Sequence, residues 1–226
     1  MKALVVAAHP DDEVLGCGGV MSRLAADDNE VFIGILGEGL TSRFDNRGDC
    51  DSREIEALHE RSRRAAELIG AKDLFFSHLP DNRYDTVPLL NIVKIIEDLI
   101  YKIKPEVVFT HHGGDLNIDH VLTFRATLTA TRPTVDSSIR SVYAYEVASS
   151  TEWAFQQFSP NFHPDTFWDV SAMVERKIQA MQQYETEARV SPHPRSPEML
   201  RAQAYRLGAM VGMHAAEAFQ SIRVLK

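Results

Sequence analysis

The sequence has little cysteine, and its two cysteines lie far apart. Cys17 and Cys50 are too few for the disulfide framework of a secreted domain, and neither stands in the paired spacing of a cysteine metal site. A chain with so few thiols suits a reducing compartment. We therefore expect a cytoplasmic protein.

Positive charge is also scarce and is nowhere clustered. The chain has 24 lysines and arginines against 32 acidic residues, which gives a formal net charge of -8. A nucleic-acid partner needs a cationic face for its phosphates, so this composition argues against one. A neutral or cationic small-molecule substrate is favoured instead.

Long apolar runs are absent as well. No segment is long and apolar enough to span a bilayer, and the first apolar run lacks the character of a signal peptide. We therefore expect neither a membrane span nor secretion.

Short apolar runs and helical patterns alternate along the first part of the chain. The apolar runs are 3–7, 31–36, 74–76 and 107–109, and the helical patterns are 52–69, 87–103 and 121–131. Such alternation is typical of βαβ units, which build a parallel sheet with helices on both faces. We expect one α/β domain over 1–226, Rossmann-like, with a mostly parallel sheet and an elaborated C-terminal part.

The first apolar run ends in a cluster of polar side chains. His9, Asp11 and Asp12 follow it almost directly, and ligands of open α/β sheets gather where such strands end. His9 and Asp12 are close enough in a turn to bind one divalent cation, which leaves Asp11 available as a base. The alternative is that the acidic residues only cap the helix that starts near Val14. Capping leaves His9 without an explanation.

A third metal ligand is expected after the fourth apolar run. His120 is the best candidate because it heads a helix at another strand end, and Asp119 beside it is suited to orient a neighbouring ligand. His111 and His112 are rivals for the same position.

Three further residues are candidates for substrate binding. Arg43 belongs to a polar loop over 37–51, and Asp81 and Arg83 follow the third apolar run. The alternatives are a solvated arginine in a long loop and an ordinary turn in which Asp81 bonds its own backbone.

The last third of the chain is rich in aromatic residues. We expect a strand near 142–147 and helices near 171–187 and 196–213. The aromatic residues between the strand and the first of these helices are expected to be mostly core, with stacking on a sugar ring as the alternative. They are Trp153, Phe155, Phe158, Phe162 and Trp168.

Two motifs resemble those of a known family. Ala-His-Pro-Asp-Asp-Glu at 8–13 with Gly-Cys-Gly-Gly at 16–19, and Asp-Leu-Asn-Ile-Asp-His at 115–120, resemble the PIG-L/LmbE-like N-deacetylases. That family includes the deacetylases of the mycothiol and bacillithiol pathways. The resemblance implies a Rossmann-like fold that binds no dinucleotide and a zinc-dependent hydrolase of N-acetylglucosamine-type sugars.

The resemblance also implies residue roles. By position, His9, Asp12 and His120 would be the metal ligands and Asp11 the general base. Ferrous iron is the alternative to zinc, because two histidines and one carboxylate suit both metals.

One position departs from the family pattern. In many relatives the residue three before the last ligand is a histidine that helps to stabilise the oxyanion, and here it is Asn117. Asparagine donates a hydrogen bond but delivers no proton at neutral pH, so Asn117 is expected to bind the substrate without acting as an acid. His193, held between Pro192 and Pro194 in a late loop, is the candidate for the missing acid. A surface histidine is the alternative.

Three functions compete on this sequence. The first is a metal-dependent deacetylase, in which a metal-activated water attacks the acetamide carbonyl of an N-acetylated sugar. The second is a non-catalytic Rossmann-like module that binds a sugar or a nucleotide. The third is a metallophosphatase, which would usually need a second metal and more ligands. Asp11 favours the enzyme, because binding alone has no need of a second aspartate beside Asp12. Assembly into a homo-oligomer is compatible with all three.

Overall fold

The computed structural model describes residues 1–225, which form one sheet of seven strands with six α-helices. The strands are β1 (Lys2–Ala7), β2 (Glu30–Gly37), β3 (Asp73–Leu79), β4 (Val107–His111), β5 (Ser141–Tyr145), β6 (Thr166–Asp169) and β7 (Ala216–Val224). The helices are α1 (Asp12–Ala26), α2 (Ser52–Ile69), α3 (Leu89–Ile103), α4 (Ile118–Ala130), α5 (Val174–Gln182) and α6 (Pro197–Val211). Among these helices, none combines the length and the apolar composition that a membrane crossing needs.

The sheet is mostly parallel. Its strand order is β3-β2-β1-β4-β5-β7-β6. The first five strands pair in parallel, and β7 lies antiparallel between β5 and β6. The predicted Rossmann-like architecture is confirmed. Because β2 and β4 flank β1 on opposite sides, the chain reverses its direction across the sheet beside β1, which is where ligands of such folds bind.

Alternate residues of β1 pack into two hydrophobic layers. Val5 contributes to the core that contains α1, α2 and α5, whereas Leu4 and Val6 contribute to the core that contains α3 and α4. All three side chains are fully buried. A strand covered on both faces has an uninterrupted apolar sequence, which is why the run 3–7 predicted it.

Helix boundaries agree with the prediction where local signals are strong. The helix expected over 52–69 has those bounds, because the Asp51 side chain caps its first turn and Gly70 ends it at φ +86°. The first helix begins earlier than expected, at Asp12, and Gly16 lies inside it. A Cβ on Gly16 would lie 2.2 Å from the ring of Tyr145, so only glycine lets α1 approach β5 this closely.

The expectation that the late aromatic residues are mostly core is wrong for three of them. Trp153, Phe155 and Phe158 are 41%, 73% and 50% exposed. They lie in the long connection between β5 and β6, outside the strands of the sheet. Trp168 is half-buried against the core because it belongs to β6, a strand that the sequence pattern did not reveal.

A buried ion pair holds the middle of α1. Glu217 of β7 accepts hydrogen bonds from the amides of Gly19 (2.9 Å) and Val20 (2.7 Å). Lys177 of α5 donates to Glu217 and to the carbonyl oxygen of Leu15, at 2.7 Å each. In a regular α-helix the amide of Gly19 donates to the carbonyl of Leu15. Glu217 therefore contacts the donor of that helical bond and Lys177 contacts its acceptor, so the ion pair fastens α1 to α5 and β7.

Removing the positive charge of this pair is expected to destabilise the folded protein. Lys177→Met should lower the free energy of unfolding by about 3–5 kcal/mol, because Glu217 would be left buried without a counter-charge. Urea unfolding followed by circular dichroism measures the loss. Arg201→Met is the matched control, since the Arg201–Glu175 pair (2.6 Å) lies at the surface and should be worth about 0–1 kcal/mol. Equal losses in the two variants would contradict the structural role of Lys177.

Candidate active site

The three polar clusters of the sequence meet at one edge of the sheet. Segment 8–13 follows β1, segment 80–84 follows β3, and segment 112–120 follows β4. All three strands are parallel, so their carboxyl ends lie on the same side. The fold therefore brings together residues that are more than 100 positions apart in the sequence.

Three buried side chains converge there as candidate metal ligands. His9, Asp12 and His120 each offer an atom, and these atoms all lie within 4.8 Å of one another. Oδ2 of Asp12 is 3.3 Å from Nδ1 of His9 and 3.3 Å from Nε2 of His120. Two imidazole nitrogens and one carboxylate oxygen are a donor set that suits zinc and leaves positions for water or substrate. The residues present thus fit a catalytic divalent metal.

Asp119 orients the first histidine. Its Oδ2 atom is 3.0 Å from Nε2 of His9, and its Oδ1 atom accepts a hydrogen bond from the amide of Tyr84 (2.9 Å). A carboxylate on the outer nitrogen fixes the ring and its tautomer. The sequence prediction was that Asp119 orients a neighbouring side chain, and the structure places its carboxylate against His9. Asp81 lies near the same nitrogen, with its Oδ1 atom 3.3 Å away.

Asp115 orients the second histidine, a role that the sequence did not reveal. Its Oδ1 atom lies 3.1 Å from Nδ1 of His120. The carboxylate itself accepts hydrogen bonds from Ser150 (2.5 Å) and Thr151 (2.6 Å), which follow β5. Asp115 stands in a motif already associated with the site. The spacing of Asp115 from His120 did not predict their contact, because that contact depends on the conformation of the turn before α4.

The rival histidines bond backbone amides, although His111 also lies beside the cluster, with its Nε2 atom 3.4 Å from Oδ2 of Asp12. Nε2 of His111 accepts a hydrogen bond from the amide of Ala8 (2.8 Å), and Nδ1 of His112 accepts one from the amide of Gly114 (3.1 Å). Within residues 1–225, neither belongs to a group of converging ligand atoms. His111 instead helps to hold the end of β1.

The electrostatics of the cluster favour positive charge. Burial lowers the pKa of His9, but its hydrogen bonds with Asp119 and Asp12 outweigh burial and raise that pKa well above its usual value. For His120, burial is outweighed by the charges of Asp12 and Asp115, which raise its pKa to about 9. The site therefore holds either protons on its histidines or a cation that replaces them.

Asp11 has the features of a chemically active residue. Burial is the main cause that raises the pKa of its carboxyl to about 7, with Arg195 opposing and Asp12 adding to the shift. Its φ is 106°, a strained conformation for a residue other than glycine. Although Asp11 precedes α1, its side chain makes no capping hydrogen bond. The capping alternative is therefore not supported for Asp11.

A cavity of about 630 Å³ opens beside the cluster. Besides His9 and His120, four carboxylates and two arginines are among the charged and titratable residues that line it. These are Asp11, Asp12, Asp81, Glu187, Arg43 and Arg195. Trp153 and Leu116 add apolar surface. Its lining is thus negative overall when both histidines are neutral.

The candidate substrate-binding residues divide between the cavity and its surroundings. Asp81 lines the cavity and accepts a hydrogen bond from the Ser42 hydroxyl (2.5 Å). Arg43 lines it too and pairs with Glu187. Arg83 is exposed and does not line it, because the turn after β3 directs this residue outward.

Asn117 lies in the cavity wall and begins α4. Its side-chain oxygen accepts a hydrogen bond from the amide of Asp119 (2.9 Å), and its amide nitrogen donates to Asn82 (2.9 Å). The oxygen is thus committed to capping the helix, and the nitrogen belongs to a polar pair that faces the cavity.

His193 does not line the cavity. Its ring packs edge-on against Trp153, with centroids 5.5 Å apart, and its Nδ1 atom accepts a hydrogen bond from the amide of Arg195 (3.2 Å). The residue of this loop that reaches the site is Arg195, which donates to Oδ2 of Asp11 at 2.6 Å. Sequence reasoning missed Arg195 because the two partners are 184 positions apart.

Comparison with known proteins gives relatives of two activities. YaiS of Escherichia coli strain K12, named an uncharacterized deacetylase, is 29% identical over 152 residues, which are 65% of this chain and 74% of YaiS. The 4-oxalmesaconate hydratase of Pseudomonas putida KT2440 is 28% identical over 196 residues, 80% of this chain and 72% of the hydratase. The structure of N,N'-diacetylchitobiose deacetylase from Pyrococcus horikoshii aligns with a TM-score of 0.75 at 18% identity, over 98% of this chain and 84% of that chain, and shows the shared fold.

The family itself follows from a match over the N-terminal part of the chain. The profile described as "PIG-L: GlcNAc-PI de-N-acetylase" matches residues 4–131, which is more than half of the sequence. The matched range contains His9, Asp12 and His120. The chain therefore belongs to the PIG-L family.

Proposed function

We propose that this protein is a metal-dependent hydrolase that removes the acetyl group from an N-acetylglucosamine-type sugar derivative. The observation that carries the proposal is the convergence of His9, Asp12 and His120 beside Asp11, a strained acid that makes no capping bond. Membership of the PIG-L family and deacetylase relatives support the same reaction.

The chain's own residues supply the binding and the proton transfer. A divalent metal, when bound, makes a coordinated water more acidic and polarises the amide carbonyl. Asp11 takes the proton of the attacking water. His9, Asp12 and His120 would hold the metal, and the carboxylates of Asp119 and Asp115 fix the rings of His9 and His120 through their other nitrogens. Acetate and a free amine are the products.

The leaving amine needs a proton. Asp11, once protonated, is one donor for it. The role of His193 as the acid stays a prediction from the sequence, since its ring lies outside the cavity wall. Asn117, with its nitrogen near the cavity, is suited to hydrogen bonding with substrate oxygens.

The sugar would bind among polar side chains on one wall and an aromatic ring on another. Asp81, Ser42 and Asn82 form a hydrogen-bonded group that lines the cavity and offers both donors and acceptors for hydroxyls. Trp153 also lines the cavity and offers an aromatic face of the type on which sugar rings stack.

Hydration is the competing reaction, because one relative is named a hydratase. The substrate in that name is a polycarboxylate, which would need unpaired cations for recognition. Both arginines of this cavity are already paired, Arg43 with Glu187 and Arg195 with Asp11. Since both of these arginines are already paired, the cavity favours a neutral sugar over a polyanion.

A substrate panel tests the proposal. The zinc-loaded protein should release acetate from at least one member of a set containing N-acetylglucosamine, N,N'-diacetylchitobiose and nucleotide-linked and lipid-linked N-acetylglucosamine. Enzymatic acetate detection measures the release, and hydration of 4-oxalmesaconate, followed by absorbance, is the competing assay. Hydration without any acetate release would reject the deacetylase.

The ligand assignment is tested by metal content. His9→Ala, Asp12→Ala and His120→Ala should each lose bound zinc, because two protein ligands hold the ion poorly against water. Inductively coupled plasma mass spectrometry of purified proteins measures this. His78→Ala, which removes an exposed histidine outside the cluster, should keep wild-type zinc content. Full zinc occupancy in His120→Ala would refute the assignment.

The role of Asp11 is tested by an isosteric change. Asp11→Asn should keep the metal and slow deacetylation by about 10²–10⁴-fold, because an amide accepts no proton from the attacking water. Steady-state kinetics and zinc content are measured together. Asp27→Asn, at the exposed C-terminal end of the same helix, is the control. Wild-type turnover in Asp11→Asn would remove Asp11 as the base.

A further inference from the structure

A chain of alternating charges lines the cavity and ends on Asp11. Arg43 pairs with Glu187, Glu187 lies 3.6 Å from Nη1 of Arg195, and the same Nη1 donates to Oδ2 of Asp11 at 2.6 Å. All four residues line the cavity. The chain links the loop after β2 and the connection between α5 and α6 to the N-terminus of α1.

Arg195 is held in place from several directions. Its Nε atom donates to the Ser149 hydroxyl at 2.8 Å, and its own amide donates to the ring of His193. The next residue, Ser196, is fully buried and caps α6 through the amide of Met199. The guanidinium therefore projects from a fixed helix start and not from a freely moving loop.

The carboxylate of Asp11 depends on Arg195 for its orientation. Asp11 has a strained backbone, and its side chain makes no capping bond. Among the described residues, its hydrogen bond from Arg195 is the one that reaches its carboxylate, and that bond uses Oδ2. Oδ1 is thus the oxygen available to the substrate side.

We infer that Arg195 is the positioning residue for Asp11, fixing one carboxylate oxygen so that the other is presented for proton transfer. This inference rests on the proposed function. Glu187 balances the charge of Arg195 and, through Arg43, ties the loop after β2 to the same group. A planar guanidinium is needed because it contacts Asp11 and Ser149 with different nitrogens.

Kinetics of Arg195 variants test the inference. Arg195→Met should lower kcat by about 10–100-fold, with KM and zinc content unchanged, as expected when a transition-state contribution is lost. Arg195→Lys should recover only part of kcat, because an ammonium group cannot span both contacts. Free guanidinium at a non-denaturing concentration should restore activity to Arg195→Ala, whereas ammonium should not. Arg189→Met is the control, since Arg189 is exposed in the same connection.

A thermal-stability cycle tests the contact without any substrate. Arg195→Met should lower Tm in the wild-type background and change it much less in the Asp11→Asn background, because the partner charge is then absent. Equal Tm shifts in both backgrounds would overturn the contact.

The kinetic outcomes separate this inference from the proposed function. A raised KM with unchanged kcat in Arg195→Met would make Arg195 a substrate-binding residue, and loss of zinc would make it a support for the metal site. Either result, or wild-type kinetics, overturns the positioning role alone. A wild-type protein that releases no acetate from any sugar overturns the proposed function together with the inference.

Discussion

The burial of negative charge around two histidines is the constraint on which the rest of the site depends. Four aspartates, each almost fully buried, lie within 3.4 Å of a nitrogen of His9 or His120. They are Asp12, Asp81, Asp115 and Asp119. Buried carboxylates without counter-charges cost several kcal/mol each, so the fold is stable with these groups only if positive charge sits among them. Protons on the histidines meet that need, as their raised pKa values show. A divalent cation meets it better, because one ion replaces two protons and contacts three ligands.

The fold meets this constraint by fixing the segments that carry the charges. β1 is buried on both faces, and its end is held by hydrogen bonds from Tyr84 and Tyr145 to backbone oxygens of Ala8 and Val6. α1 begins directly after this end and is fastened at its middle by the Lys177–Glu217 pair. A rigid strand and a fastened helix leave the short turn between them little freedom. His9 and Asp11 belong to that turn and Asp12 begins the helix, so the core sets the backbone positions of all three residues.

Sequence reasoning recovered the parts of the molecule that have local causes. The apolar run 3–7 and the capped helix after Asp51 are determined by nearby residues. The candidate ligands of the two motifs lie directly after strand ends, where the parallel topology brings them together. The sequence did not predict contacts between residues that are far apart along the chain or that depend on the exact path of a turn. Asp115 and Arg195 act through partners brought close by the turn before α4 and by the start of α6, and no spacing in the sequence encodes those contacts. The exposure of Phe155 was missed for the same reason, because burial depends on whether another element covers a loop.

We propose that the converging charges form a metal site centred on His9, Asp12 and His120. The most direct test is an anomalous difference map at the zinc edge, from crystals of the wild-type protein grown with zinc. We expect one strong peak bonded to these three side chains, at about 2.0–2.2 Å from their nitrogen and oxygen atoms. A second set of candidate ligands, His9 with Asp81 and Asp119, lies on the other side of the same ring. A peak at that set alone, or no peak at either, would contradict a metal site formed by His9, Asp12 and His120.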